Sequence, residues 1–427
     1  MSSIPLSSTP RTASPARVTA LCWIGLFAEG YDLGVFGAVL PGLMADPVWK
    51  LSPVEAGMLA SSALIGMFIG GFLLGTLSDQ VGRRRCFLGC IALFSAATGL
   101  AAVAPTPLLF ALCRLVSGIG VGGMIPVASA LVTEFAPPER RSREYAMMYS
   151  GYSIGIFAAA LAGFFLLAAH GWRPVVMLGA FPLILLPVLA FLLPESPDYL
   201  MRAGREDRAR AVADQFGVAL AHGMLPSDRR KPAWSDALRI FAHGNRQATA
   251  GFWATTFLGM VVVYGLNTWL PQIMRSAGYD LGPSILFLGV FALASSVGGV
   301  VLGLAADRWG RGPTIASAFT MGAGAILMLS HHWPLGVTYV VVAAAGVGSV
   351  SAAVLVTAYL ASYFPSDLRA TAVGWCLSFS RSGAIAGPMM GATLAQLGWP
   401  VATNFYMFAL MALLSAGAIL CVPRKKA

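Results

Sequence analysis

The chain has 427 residues, of which 57% are hydrophobic and 11% charged, whereas an ordinary soluble domain is roughly 25% charged. A soluble core of this length cannot hide that much apolar surface, so the composition excludes a soluble globular protein and calls for lipid as the solvent. The net charge of +10 raises nucleic acid as a partner, and the placement of the charges decides against it.

Met1 to Ala16 is rich in Ser, Pro and Thr and lacks the layout of a signal peptide. Beyond it, apolar runs of spanning length fall near 18–44, 54–77, 87–104, 107–131, 145–169, 172–193, 247–274, 281–305, 313–331, 334–361, 369–397 and 400–422. The first is too long for a cleaved h-region and reads as a retained span. The expected fold is an all-α integral membrane protein, with twelve transmembrane helices in two pseudo-symmetric bundles of six. Its parts are a tail (1–17), an N-terminal bundle (18–193), a linker (194–246), a C-terminal bundle (247–422) and a short tail (423–427).

With both termini on the cytoplasmic side, the inner segments hold 23 of the 28 Lys and Arg residues. The outer loops and helix ends hold Lys50, Arg173 and Arg275, while Arg114 and Arg381 fall inside spans. This is the positive-inside asymmetry. It accounts for the basic balance without nucleic acid and sets a multi-pass topology, with a bacterial inner membrane as the expected location. Cys86 and Cys90 share a helix face, but no His or carboxylate accompanies them, so they read as helix filler. No metal or other cofactor is expected.

One offset relates the two halves. Gly75, Asp79, Gly82 and Arg83 recur 228 positions later as Gly303, Asp307, Gly310 and Arg311. The same offset carries Pro137, Glu139 and Arg141 onto Pro365, Asp367 and Arg369, and Gly155 and Gly163 onto Gly383 and Gly391. Six spans per half make these parallel repeats. A glycine at a helix end permits close approach of a neighbour, and Asp79 can pair with arginine or face a helix N-terminus. These loops therefore read as a latch between two conformations, with Glu134, Arg141 and Arg369 counted in the same gating set. In the linker, the run Arg202 to Ala221 suits an amphipathic helix on the membrane surface.

The segment Gly75 to Arg85 resembles the signature loop of the major facilitator superfamily, and Arg114-x-x-x-Gly118-x-Gly120-x-Gly122-Gly123 resembles that superfamily's fourth-helix motif. Glu29-Gly-Tyr-Asp32, Tyr264-Gly-Leu-Asn-Thr-Trp-Leu-Pro271 and Arg381-Ser-Gly-Ala-Ile-Ala-Gly-Pro388 resemble the aromatic acid/proton symporter family within it. Members often carry Asp where Glu29 stands. Pro194-Glu-Ser-Pro197 is shared with sugar porters and discriminates little. The resemblance implies proton-driven uptake of a small aromatic carboxylate by a monomer.

Ionisable groups inside spans are costly and by default functional. Glu29 lies twelve residues beyond Arg17, and Arg381 twelve beyond Arg369, about 18 Å of helix rise in each case and so near the midplane. Glu29 and Asp32 are three apart and share a helix face. Two carboxyls in one desolvated site bind protons as a coupled pair, which suits proton coupling. Arg114 is placed to hold and release them, though a permanent Arg114 ion pair is the alternative. Arg381 suits an anionic substrate, because guanidinium grips a carboxylate bidentately and keeps its charge. Capping carbonyls of a Gly-interrupted helix is its other reading. Tyr264, Asn267, Phe36, Tyr152 and Tyr359 are candidates for the walls around an aromatic ring, while Trp269 beside Pro271 reads as an outer interfacial anchor.

Other functions fit less well. Drug/proton antiport goes with a Gly-Pro motif in span 5, and the segment Gly151 to Gly155 has no proline. A midplane arginine repels cations and is not needed for a neutral sugar. Nicotinate remains within the aromatic acid class. An enzyme would need a metal cluster, a nucleophile–base set or a phosphate loop, and the adjacent His331 and His332 make a poor chelate. The latch and the carboxyl pair are superfluous for a channel.

Overall fold

The computed structural model describes residues 14–218, 239–241 and 245–423, apart from the side chains of Thr76, Asp79, Pro138, Arg239, Ser366, Asp367, Arg369 and Ala370. Among these residues there is no strand, and twelve long helical segments account for most of the chain. In chain order they are α1 (Pro15–Met44), α2 (Pro53–Val81), α3 (Arg83–Ala102), α4 (Pro107–Phe135), α5 (Arg141–His170), α6 (Trp172–Leu192), α7 (Arg246–Ser276), α8 (Leu281–Trp309), α9 (Arg311–Met328), α10 (Leu335–Tyr363), α11 (Ser366–Gln396) and α12 (Val401–Leu420). Each coincides with one predicted span to within a few residues. Ten are long and apolar enough to cross a bilayer by length and composition. The two that fall short are α9 and α11, and α11 is the helix that carries Arg381 amid Ser378, Ser380 and Ser382.

The starts follow from local chemistry. Ser52 and Glu55 form a reciprocal capping box at α2, and Thr106 caps α4 ahead of Pro107. Between α2 and α3 the chain turns through Gly82 at φ 109°, and between α8 and α9 through Gly310 at φ 87°. Both values lie where a Cβ is strained, so the repeated glycine at this place is required by the turn itself.

Packing repeats with the sequence. Helix α1 packs on α5 as α7 packs on α11, and α2 packs on α4 as α8 packs on α10. The two sets meet through α2 with α11, α5 with α8, and α1 with α7. Without a hydrophobic drive between helices in lipid, close backbone approach supplies the attraction. At the α2–α4 contact a Cβ on Gly118 would lie 2.0 Å from the Ala63 carbonyl oxygen, and one on Gly66 would lie 2.0 Å from that of Leu115. We predict that Gly118→Val destabilises the fold by at least about 2 kcal/mol, as overpacking against backbone does. A lower melting temperature and a reduced folded yield are the measurements that check it.

The outer half, away from the chain termini, is closed. There Ser61 donates to the Ile385 carbonyl at 3.1 Å, Arg275 donates to the Pro41 carbonyl at 3.2 Å, and Gly57 packs on Pro388, Met389 and Ala392. Trp269 lies in this seam. It is 1% exposed, donates to the Pro388 carbonyl at 2.8 Å and is covered by Gly391. It is therefore a tie between α7 and α11, and the interfacial reading is corrected.

The linker departs from expectation as well. Its helix spans Glu206–Phe216, and Ala209, Ala213 and Phe216 are buried. The Phe216 ring packs edge-on against Phe135 at 5.0 Å. The apolar face thus docks on the protein at the inner end of α4 instead of facing lipid. Residues 219–221 of the expected helix lie outside the described residues.

Candidate functional site

Glu29 and Asp32 share one stretch of α1, and both are completely buried, yet their surroundings differ. Asp32 is fully engaged. Its Oδ2 accepts from Arg114 at 2.9 Å and from Ser117 at 2.9 Å, its Oδ1 accepts from Thr98, and Arg114 also reaches its main-chain carbonyl at 3.1 Å. The Phe36 ring lies 6.0 Å from the Arg114 guanidinium, closing the pair off on one side. Three helices, α1, α3 and α4, thus supply one charge network that satisfies Asp32, while the buried Nε of Arg114 has no partner among the described residues.

Neither carboxyl oxygen of Glu29 has a hydrogen-bond partner among the described residues. The attracting charge that acts on it is Arg381 of α11, and Asp32 adds a repelling one. A carboxylate so placed bears the full cost of burial unless it takes a proton or Arg381 offsets it. Arg381 is half-buried and makes no hydrogen bond or ion pair among the described residues. Its charge also acts on Tyr149 and Tyr152. A carboxyl and a guanidinium, each without a hydrogen-bond partner among the described residues, therefore act on each other from different halves of the repeat.

Tyr149 and Tyr152 line a cavity of about 460 Å³, within the range of small-molecule sites, although neither Glu29 nor Arg381 is part of its lining. Tyr145, Tyr149 and Tyr152 on α5, with Tyr264 and Asn267 on α7, give its wall a polar edge. The α5 rings form a stacked column, with centroids 6.1 and 5.7 Å apart. The cavity runs from Asn267 near the midplane to Tyr145 and Ala361, which lie near the inner ends of α5 and α10. With the outer half closed, the conformation is open toward the side that carries the chain termini.

Of the expected ring contacts, Tyr152, Tyr264 and Asn267 are at the cavity. Phe36 and Tyr359 are not. Phe36 follows Asp32 onto the α4 side and packs at 6.3 Å from Phe110, while Tyr359 packs at 5.2 Å from Phe252. Tyr145 and Tyr149 went unnoticed in the sequence, although their spacing with Tyr152 (i, i+4, i+7) puts all three on one face. Ser153, which the 228-residue offset aligns with Arg381, also lines the cavity, as does Met260, the counterpart of Asp32.

At the inner ends, Arg83 pairs with Glu134, and Glu134 also accepts from Ser196. Glu195 accepts from the Arg84 amide at 2.9 Å at the start of α3. Pro194-Glu-Ser-Pro197 therefore fastens the α2–α3 loop to α4, a role the sequence did not disclose. Arg141, Asp307 and Arg311 are exposed. In the second half the position matching Glu134 is Ser362, so that fastening has no carboxylate there. A Cβ on Gly75 or Gly303 would meet nothing within 4 Å, so the close approach expected at these glycines is absent from this conformation. The side chains of Asp79 and Arg369 lie outside the described residues.

Two repeated six-helix sets, closed on one side and opening along a tyrosine-lined cavity on the other, define a secondary carrier of the alternating-access type. The sequence profile described as Major Facilitator Superfamily matches residues 22–342 and 286–427. The benzoate transport protein of Acinetobacter baylyi is 33% identical over 408 residues, covering 93% of this chain and 87% of that protein. The gentisate transporter of Corynebacterium glutamicum is 32% identical, covering 93% and 85%. The gallate transporter of Pseudomonas putida is 31% identical, covering 97% and 93%. Among solved structures, the inward-open xylose transporter XylE from E. coli superposes with a TM-score of 0.75 at 19% identity, covering 94% of each chain, which speaks to the fold. The chain belongs to the major facilitator superfamily, and within it to the aromatic acid transporters.

Proposed function

We propose that this protein imports a small aromatic carboxylate of the benzoate or hydroxybenzoate kind together with protons. It works as a monomer in the bacterial cytoplasmic membrane, with both termini inside. Its moving bodies are residues 18–193 and 247–422, joined by the 194–246 linker. The observation that carries this reading is Glu29, buried without a hydrogen-bond partner among the described residues, with the Arg381 charge acting both on it and on Tyr149 and Tyr152 of a tyrosine-lined cavity. Benzoate, gentisate and gallate, named for the relatives, all present a carboxylate on an aromatic ring, which suits a free guanidinium beside phenol walls.

In the cycle, Glu29 takes a proton from the outer side as the substrate carboxylate binds Arg381. Neutralising both charges permits occlusion, because an unpaired buried charge is expensive. Tyr152, Tyr264 and Asn267 hold the ring, with Tyr149 and Tyr145 lining the exit. Arg114 keeps Asp32 satisfied throughout. As the bundles rock, the loops at Gly75–Arg83 and Gly303–Arg311 close and open on the inner side, with Glu134, Arg141 and Arg369 beside them.

A thermal-shift and uptake screen of benzoate, hydroxybenzoates, phenylpropanoids and nicotinate, with sugars and organic cations as controls, tests the assignment. Stabilisation by an aromatic acid is the expected result, and stabilisation only by sugars or cations would overturn it. Arg381→Lys keeps the charge but loses the bidentate grip. Its apparent affinity for the carboxylate should fall roughly tenfold to a hundredfold, as hydrogen bonds to charged groups are worth. Unchanged affinity would move the anion site elsewhere.

A further inference from the structure

A second cavity, of about 450 Å³, lies away from the transport path. It sits where α1 and α3 begin and α6 ends, roofed by the Glu206–Phe216 helix. Five arginines line it, Arg17, Arg84, Arg85, Arg205 and Arg208, against a single carboxylate, Glu195. That carboxylate is already committed, since its Oε1 accepts the amides of Arg84 and Ser196 at 2.9 and 3.0 Å. Arg17, Arg85, Arg205 and Arg208 make no ion pair among the described residues. Four stretches of chain therefore bring five arginines, four of them exposed, to one positive pocket, whose field favours an anion.

The rim identifies the anion. Arg17, Arg84 and Arg85 lie in the first turns of their helices, at the depth where spans leave the hydrocarbon. Beside them Phe191, in the last turn of α6, is 87% exposed. The pocket thus joins a polyanion receptor to an apolar lip, the combination offered by a phosphodiester headgroup with acyl chains. We propose that this cavity binds an anionic phospholipid, whose phosphate bridges the linker helix to the inner ends of α1 and α3. A free phosphate shares the headgroup chemistry but has no use for the Phe191 lip.

The test is native mass spectrometry of the full-length protein in detergent, offered phosphatidylglycerol or phosphatidylethanolamine, with inorganic phosphate as a separate competitor. Phosphatidylglycerol should be retained in preference to phosphatidylethanolamine. The Arg205→Gln/Arg208→Gln protein should lose affinity by about fivefold for each arginine, roughly thirtyfold together, while its lipid-free melting temperature stays at the wild-type value. If that variant does not fold, Arg17→Gln with Arg85→Gln removes two other donors and gives the same reading. Equal retention of the two lipids, or unchanged phosphatidylglycerol binding in the variants, would overturn the proposal. So would displacement of the lipid by millimolar inorganic phosphate, which would make this a free-anion site.

Discussion

Glu29→Gln should abolish concentrative uptake while leaving exchange of substrate across the membrane intact. The amide fills the same space on α1 and removes only the ability to carry a proton. In proteoliposomes with an imposed pH gradient, each coupled proton is worth about tenfold in accumulation per pH unit. The wild-type ratio should follow the gradient, and that of Glu29→Gln should fall to about one. Counterflow, which needs no net proton movement, should persist. The pH profiles should part in the same sense. Wild-type uptake falls as external pH rises through the titration of Glu29, because the loaded carrier requires the proton, whereas exchange by the variant stays flat. Accumulation by the variant at the wild-type ratio would move the coupling site off Glu29. Repeating the measurement with only the electrical potential dissipated counts the protons, since one proton with one monoanion is electroneutral and a second makes transport respond to voltage.

The fold was readable because lipid enforces it. A backbone in hydrocarbon must satisfy itself within each segment, so twelve apolar runs had to be twelve helices, and one offset exposed the repeat. The shortfall of α9 and α11 was also written in the chain, since Arg381 and three serines dilute the hydropathy of α11. The site was half legible. A carboxylate or arginine in a span announces itself by its cost, which singled out Glu29, Asp32, Arg114 and Arg381. The separate fates of Glu29 and Asp32 were not legible, because the groups that satisfy Asp32 are Thr98 and Ser117. Hydroxyls in these helices mostly turn back onto their own carbonyls, as Ser129 and Thr255 do, so nothing local marks the two that reach across. Phe36 was misplaced for the same reason. It does share a face with Asp32, but that face meets α4 and not the cavity.

The repeat also sharpens the division of labour. Positions that obey the offset, such as Gly82 with Gly310 and Gly155 with Gly383, sit at turns and helix contacts. Those that break it carry charge on one side only. Arg381 stands opposite Ser153, and Glu29 and Asp32 opposite Phe257 and Met260. In the proposed cycle, proton and anion groups on different halves would link their occupancy to bundle movement, because the attraction between Glu29 and Arg381 changes whenever either is neutralised.

Arg114→Leu should be the most damaging single change in the N-terminal half. It strips Asp32 of its cation while leaving the carboxylate completely buried, with Thr98 and Ser117 as its remaining donors. Breaking a buried pair from one side costs about 3–5 kcal/mol, comparable with the whole stability of many domains, so folded yield should collapse. Asp32→Asn/Arg114→Gln removes both charges and keeps hydrogen-bonding groups at both positions. That protein should return to near wild-type yield, since an uncharged pair escapes most of the desolvation cost. Its transport then separates two roles for Asp32. If Asp32 only anchors α1 to α3 and α4, the double variant still accumulates substrate against a gradient through Glu29. If Asp32 carries the proton, the double variant folds but equilibrates substrate without concentrating it. The complete set of partners around Asp32, against none around Glu29 among the described residues, favours the first outcome.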